Sequence, residues 1–164
     1  DLYMESVPVD WISLRDVEDK DLEMLREERN RWSTRSNLED CRVISQEDQT
    51  RWFVGGGARG IKVAECDGAV VGIARIKKGI GVGCYTVGAD VFERHRGLGY
   101  GSAVFGAACK MAEGLASNCL DLWVFVDNTR AVNVYKKHGF TFEDRKSTRL
   151  NSSHVSESRM PSSA

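Results

Sequence analysis

Val91-Phe92-Glu93-Arg94-His95-Arg96-Gly97-Leu98-Gly99-Tyr100-Gly101-Ser102 is the stretch on which the reading of this chain turns. A strand-like run ends at Val91, three alternate glycines follow in a short turn, and an Ala-rich helical pattern starts at once. Without Cβ atoms, Gly97, Gly99 and Gly101 let the backbone curl and bring its N–H groups close to an anion. The helix beginning near Ser102 points its unpaired N–H groups and positive dipole end at the same spot. Such a strand–turn–helix is a cradle for phosphate. Alternate glycines also occur in plain flexible turns, so a second stretch has to decide between the two.

That stretch is Asp127-Asn128-Thr129-Arg130-Ala131-Val132-Asn133-Val134-Tyr135-Lys136-Lys137-His138-Gly139-Phe140. The first stretch carries Arg-x-x-Gly-x-Gly at Arg96, Gly99 and Gly101. The second carries Asn, Ala, Tyr and Gly-Phe at Asn128, Ala131, Tyr135, Gly139 and Phe140. In order and separation these resemble the acyl-CoA-binding motifs of the GNAT N-acetyltransferase superfamily, over about Ile12 to Phe142. Glu28-Arg29-Asn30, and Ile44 to Gln49 followed by Arg51-Trp52-Phe53, resemble the branch that acetylates ribosomal-protein alanine or nucleotide-linked amino sugars.

Outward from these motifs, Trp11 to Arg15 alternates like a half-buried strand. Asp16 and Asp19 have capping-box spacing and predict a helix with Val17, Leu22, Leu25 and Arg29 on one face. Ser45 opens a short helix containing Trp52 and Phe53, ended by Gly55-Gly56-Gly57. Two apolar runs, Ile61 to Cys66 and Ala69 to Ile76, flank Asp67-Gly68, a two-residue hairpin signal. Val82 to Val91 is the next strand, and Gly83 and Gly88 within it suit a bulge or a splayed edge. Ser102 to Ala116 reads as a helix and Leu120 to Val126 as a short strand buried on both sides. Asn128 then caps a last helix that Gly139 ends. The order predicts a mixed α/β fold. The resemblance implies a GNAT-type central sheet flanked by helices, splayed between the strands ending near Val91 and Val126.

The resemblance also implies a site. Acetyl-CoA would lie in the splay, paired with the backbone of Ala89, Asp90 and Val91. The N–H groups of Gly97, Leu98, Gly99, Tyr100, Gly101 and Ser102 would hold its diphosphate, with Arg96 beginning the cradle or pairing with a surface carboxylate. Asn128 matches the family's cofactor-contacting Asn, or only caps its helix. Tyr135 matches the tyrosine thought to protonate the departing thiolate, the alternative being a core aromatic. Attack by the amine would be direct, with an N–H near Ala89 steadying the oxyanion. The amine's base is not carried over: the two positions where family members place an acid are Thr86 and Trp123. Asp90, Glu65 and Glu28 are weak candidates, and His95 and His138 read as structural. No His/Cys cluster has metal-ligand spacing.

Composition bounds the partners. Lys plus Arg total 23 against 24 Asp plus Glu, which argues against a general nucleic-acid or membrane-surface binder. Neither a membrane span nor a signal peptide is evident. The five cysteines, Cys41, Cys66, Cys84, Cys109 and Cys119, show no Cys-x-x-Cys pair and read as reduced thiols of a cytoplasmic protein. The expected partner is a small-molecule amine, with a protein N-terminus or a non-catalytic CoA-binding role as alternatives.

From Asp144 the composition turns to Ser, Arg and Asn with few apolar residues. Asp144 to His154 and Ser158 to Ala164 resemble the two ends of a translated sequencing-library adapter; the rival reading is an ordinary Ser-rich tail. The expected organisation is therefore a C-terminally truncated acyl-CoA-binding domain over 1–143 and a non-native, disordered tail over 144–164. The family's last strand is expected to be missing.

Overall fold

The computed structural model describes residues 7–36, 38, 40–79, 81–115, 119–125, 127–141, 145–146 and 152–155, the last two segments as backbone only. Among them, β1 (Ile12–Asp16), β2 (Ile61–Cys66), β3 (Ala69–Lys78) and β4 (Cys84–Val91) form an antiparallel meander. The β2–β3 turn places Asp67 at φ 51° and Gly68 at φ 79°, the two left-handed residues of a tight hairpin. β5 (Cys119–Phe125) joins β4 in parallel, and the strand order is β1-β2-β3-β4-β5, continued by β7 (Ser152–Val155) and β6 (Arg145–Lys146).

α4 (Tyr100–Gly114) lies on one face of this sheet. Its buried residues are mostly small, Ala103, Val104, Ala107, Ala108 and Ala112, so its axis sits close to Ala74, Ile76 and Val87 of the strands. Phe105 is the large exception. It is fully buried between Tyr135, His138 and Phe140 of the α5 segment (α5, Thr129–Lys137), and its removal would leave a cavity costing about 3–5 kcal/mol.

The N-terminal layer consists of α1 (Leu22–Asn30), the single turn α2 (Trp32–Arg35) and α3 (Gln46–Val54). Ser45 caps α3 as expected, accepting from the Asp48 N–H. The cap before α1 differs from expectation. Glu18 and Asp21 form the box, because Asp16 is still the last residue of β1 and pairs with Lys62. Asp21 is buried and takes both ends of the Arg15 guanidinium, which holds its carboxyl below the usual range.

Two further expectations are corrected. Cys84 and Cys119 are not separate thiols but a disulfide, because parallel pairing sets them side by side with 4.6 Å between Cα atoms. The tail expected to be disordered is also extended in part. β7 (Ser152–Val155) pairs antiparallel with Leu122–Phe125 of β5, and β6 (Arg145–Lys146) pairs with β7. Where β5 leaves β4 its ladder groups need partners, and any extended backbone supplies them whatever its side chains. Residues 144, 147–151 and 156–164 of the expected tail, and residues 126, 142 and 143, lie outside the described residues.

Candidate functional site

β4 and β5 are registered at Cys84–Cys119, Tyr85–Leu120 and Thr86–Asp121 only. Beyond those rungs β4 continues to Val91 paired with β3 alone, while β5 spends its groups on β7. The result is a fork whose β4 side, including Ala89, Asp90 and Val91, keeps one edge unpaired with β5. An edge of this kind accepts an extended ligand as it would accept a strand.

The glycine turn stands at the open end of the fork. Gly97 and Gly99 have φ of 76° and 86°, a region where a side chain costs about 1–2 kcal/mol, and Gly99 is the cap residue of α4. The first helical residues, Tyr100, Gly101 and Ser102, carry N–H groups without an intrahelical acceptor. A Cβ on Gly101 would sit 3.8 Å from Val91 Cγ2, so the helix start lies beside the strand end. Leu98 is exposed on the outside of the turn. Turn, helix start and strand end are thus brought together as the motif required.

Several side chains stand elsewhere than the motif alone suggests. Arg96 neither points at the cradle nor meets a surface carboxylate. It donates to the Val91 carbonyl (2.9 Å), to Ser33 Oγ (2.7 Å) and to Thr34 Oγ1 (2.8 Å), fastening α2 to the turn. Ser102 Oγ bonds His138 Nε2 at 2.9 Å, joining α4 to the end of α5. Burial keeps His138 below its usual pKa. Asn128 caps α5, accepting from the Ala131 N–H at 3.3 Å. Arg130, not among the sequence candidates, stands in the first turn of α5. Its Nη2 comes within 3.9 Å of where a Cβ on Gly97 would sit. Its signal was present, a cation two positions after the motif Asn, but nothing in the chain order says that α5 starts beside the turn.

Tyr135 is buried against Phe105 and Phe140. Burial pushes its phenol up to about 12; the negative charge of Asp90 adds to this and the positive charge of Arg75 opposes it. Asp90 and Arg75 are ion-paired across β3 and β4, the Arg75 guanidinium lying over Gly88. Arg75 was not read from the sequence, being one charged residue in a strand. The weaker base candidates are engaged. Glu65 takes the Arg15 Nε at 2.6 Å, far from the fork on β2. Glu28 is buried, pairs with Arg31 at 3.3 Å and accepts from the Glu93 N–H. The side chain of Trp123 lies outside those described. No cluster of metal-binding residues and no helix long and apolar enough to cross a membrane occurs among the described residues.

The sequence matches the acetyltransferase (GNAT) family over residues 17–140. The chain belongs to that family. Among solved structures it is similar to spermidine N-acetyltransferase from Vibrio cholerae in complex with CoA and spermine, with a TM-score of 0.77 and 18% identity, over 90% of this chain and 92% of that one. It is similar also to the aminoglycoside acetyltransferase AAC(6')-Ib with coenzyme A and kanamycin (TM-score 0.76, 17% identity, 90% and 95% covered). Ribosomal-protein-alanine N-acetyltransferase from Brucella melitensis matches at TM-score 0.68 and 17% identity, over 87% and 96%. At these identities the likeness establishes the fold. Among curated proteins no sequence matches significantly.

Proposed function

We propose that this GNAT-family protein transfers acetyl from acetyl-CoA to the primary amine of a small molecule. The fork, opening directly onto a glycine turn at the start of α4, is the observation that carries this reading. The cradle fits the cosubstrate: main-chain N–H groups of Gly97 to Ser102 would meet the diphosphate, Arg130 would add positive charge, and the free edge of Ala89 to Val91 would take the pantetheine arm. Bound there, acetyl-CoA supplies an activated thioester for attack by the amine.

The protein's own groups then set the proton balance. Held up to about 12, Tyr135 keeps its proton throughout the working pH range and acts as a donor. Giving that proton fully to a thiolate of ordinary acidity would cost about 5 kcal/mol, so its contribution is a hydrogen bond strengthened as charge develops on sulfur. With Glu28, Glu65 and Asp90 all paired, the amine enters already neutral. The rate constant kcat/KM therefore rises with pH and levels off at the pKa of the amine used.

Nucleotide-linked amino sugars are the acceptors we favour, on the strength of the Glu28–Asn30 and Ile44–Phe53 segments, in a cytoplasmic setting. An amine panel of nucleotide amino sugars, polyamines, aminoglycosides and peptide N-termini tests it; turnover only with peptides would move the reading to protein N-terminal acetylation. The pairing of Glu28, Glu65 and Asp90 favours one second reading, a CoA-binding module without turnover. Binding of CoA with no acetylation across the panel, unaffected by Tyr135→Phe, would establish that instead. We further infer that residues 144–164 are foreign to the domain. A chain whose residues 144–164 are replaced by an unrelated segment able to extend along β5 is then expected to keep its CoA affinity, and loss of binding on that replacement would refute this.

A further inference from the structure

The closed end of the fork holds a feature that acetyl transfer does not require. Cys84 opens β4, Cys119 opens β5, and their disulfide lies on the first rung the two strands share. Two rungs further on, Thr86 Oγ1 donates to the Asp121 carboxylate, and parallel pairing ends there. The crotch of the fork thus rests on three backbone rungs, one side-chain hydrogen bond and one covalent bond.

The chain between the two cysteines is the working half of the site. It spans a sequence separation of 35 and contains β4, the glycine turn and α4. Gly79, Gly81 and Gly83 close on the backbone of the two cysteines. Gly79 N–H donates to the Cys84 carbonyl at 2.7 Å, Cys84 N–H donates to the Gly81 carbonyl at 3.1 Å, and Cys119 N–H reaches the Gly83 carbonyl at 3.4 Å. A Cβ on Gly81 would lie 2.9 Å from Cys84 Sγ, so a side chain there would displace the sulfur. Cys84 and Cys119 are both partly exposed and therefore open to thiol reagents. Cys66 and Cys109 are buried, and burial pushes the Cys66 thiol up, which makes it a poor nucleophile.

We propose that the Cys84–Cys119 disulfide is a redox-operated clamp that sets the fork for its ligand. In reduction, a dithiol gives up two electrons and two protons. The S–S bond breaks, each cysteine gains a hydrogen, and the dithiol closes into its own cyclic disulfide. A low-molecular-weight disulfide reverses the step by accepting the same electrons and protons. Once reduced, the crotch keeps only its three rungs and the Thr86–Asp121 bond, the first rungs fray, and the register that holds the fork open for a pantetheine arm is less populated.

The effect on ligand binding rests on the acetyl-CoA reading above, whereas the existence of the clamp does not. Alkylation of the denatured protein is expected to modify three thiols, Cys41, Cys66 and Cys109, without prior reduction and all five after dithiothreitol. Five reactive thiols without reductant would overturn the proposal. Reduction should lower the melting midpoint by about 8 °C, as expected for freeing a loop of this length in a domain of this size. A fivefold fall in the clamped population reads as CoA bound about fivefold more weakly on reduction. Cys84→Ser/Cys119→Ser should bind like the reduced wild type and ignore dithiothreitol; if it fails to fold, the reduced wild type serves alone. Equal CoA affinity in both redox forms would overturn the clamp as a control of binding. If neither form binds CoA, the cosubstrate reading falls, while thiol count and melting midpoint still judge the clamp.

Discussion

The glycine turn and the N-terminal helical layer meet at Arg96, yet they are built from different chemistry. The turn is main chain: left-handed φ at Gly97 and Gly99, free N–H groups at the start of α4, and an unpaired strand edge. The opposite wall is clasped by side chains over long separations. Asn30 grips Ile44 through both its carbonyl and its N–H, Gln49 donates to the Leu22 carbonyl at 2.5 Å, and Arg29 and Arg35 reach the carbonyls of Asp40 and Cys41. A site made of backbone needs only small residues at set spacings and suits one invariant ligand. A wall made of side-chain clasps changes shape with each substitution and suits a variable one. On the proposed reading the first faces the cosubstrate and the second the amine.

That division is tested first at the donor. Tyr135→Phe keeps the aromatic packing on Phe105 but loses the hydroxyl, and should lower kcat about 100-fold with CoA affinity unchanged. Equal loss of affinity would make Tyr135 a packing residue. Next comes the backbone itself. Gly99→Val forces a β-branched residue into the left-handed region at the α4 cap, and should weaken CoA binding at least about tenfold by calorimetry while the amine KM holds. Arg130→Ala should weaken CoA about tenfold through loss of a charge-assisted contact and leave S-acetyl-pantetheine, which has no diphosphate, unaffected. Equal losses on both ligands would return Arg130 to a structural role.

The clasped wall should respond in the other parameter. Arg96→Ala unties α2 from the turn, and is expected to raise the amine KM about fivefold with less effect on CoA. The reverse pattern would erase the contrast between the two walls. Smallest is a pH effect. His138 has its folded pKa depressed below 6.5 by burial, so the unfolded chain binds its proton more readily. Stability is full above about pH 6.5 and falls as pH drops through the folded pKa. In His138→Gln the slope between pH 7 and 5 should flatten, by a fraction of about 1 kcal/mol in urea melts.

Periodicity and punctuation made most elements legible. The Asp67-Gly68 hairpin, the Ser45 cap and the α4 and α5 helices stand where the residues placed them, and the fork where the family resemblance implied it. The first helix cap slipped from Asp16 to Glu18 because the competing demand, β1 pairing with β2, is long-range. The same reason hid the disulfide: Cys84 and Cys119 carry no paired spacing, and only parallel register makes them neighbours. It also hid β7, whose polar residues give no apolar alternation but whose backbone fills an open edge.

Taken alone, the amino-acid order determined the glycine turn, the helix starts and the residues of both motifs, because glycine conformation, capping and hydrophobic period are local properties of a few neighbouring residues. Tertiary structure decided what those residues do with their side chains. Arg96 became a fastening for α2, Asp90 acquired Arg75, Tyr135 was pushed up by burial, Arg130 came to the turn and two cysteines closed the fork. Each depends on distances between segments far apart in the chain, which strand register and helix docking set.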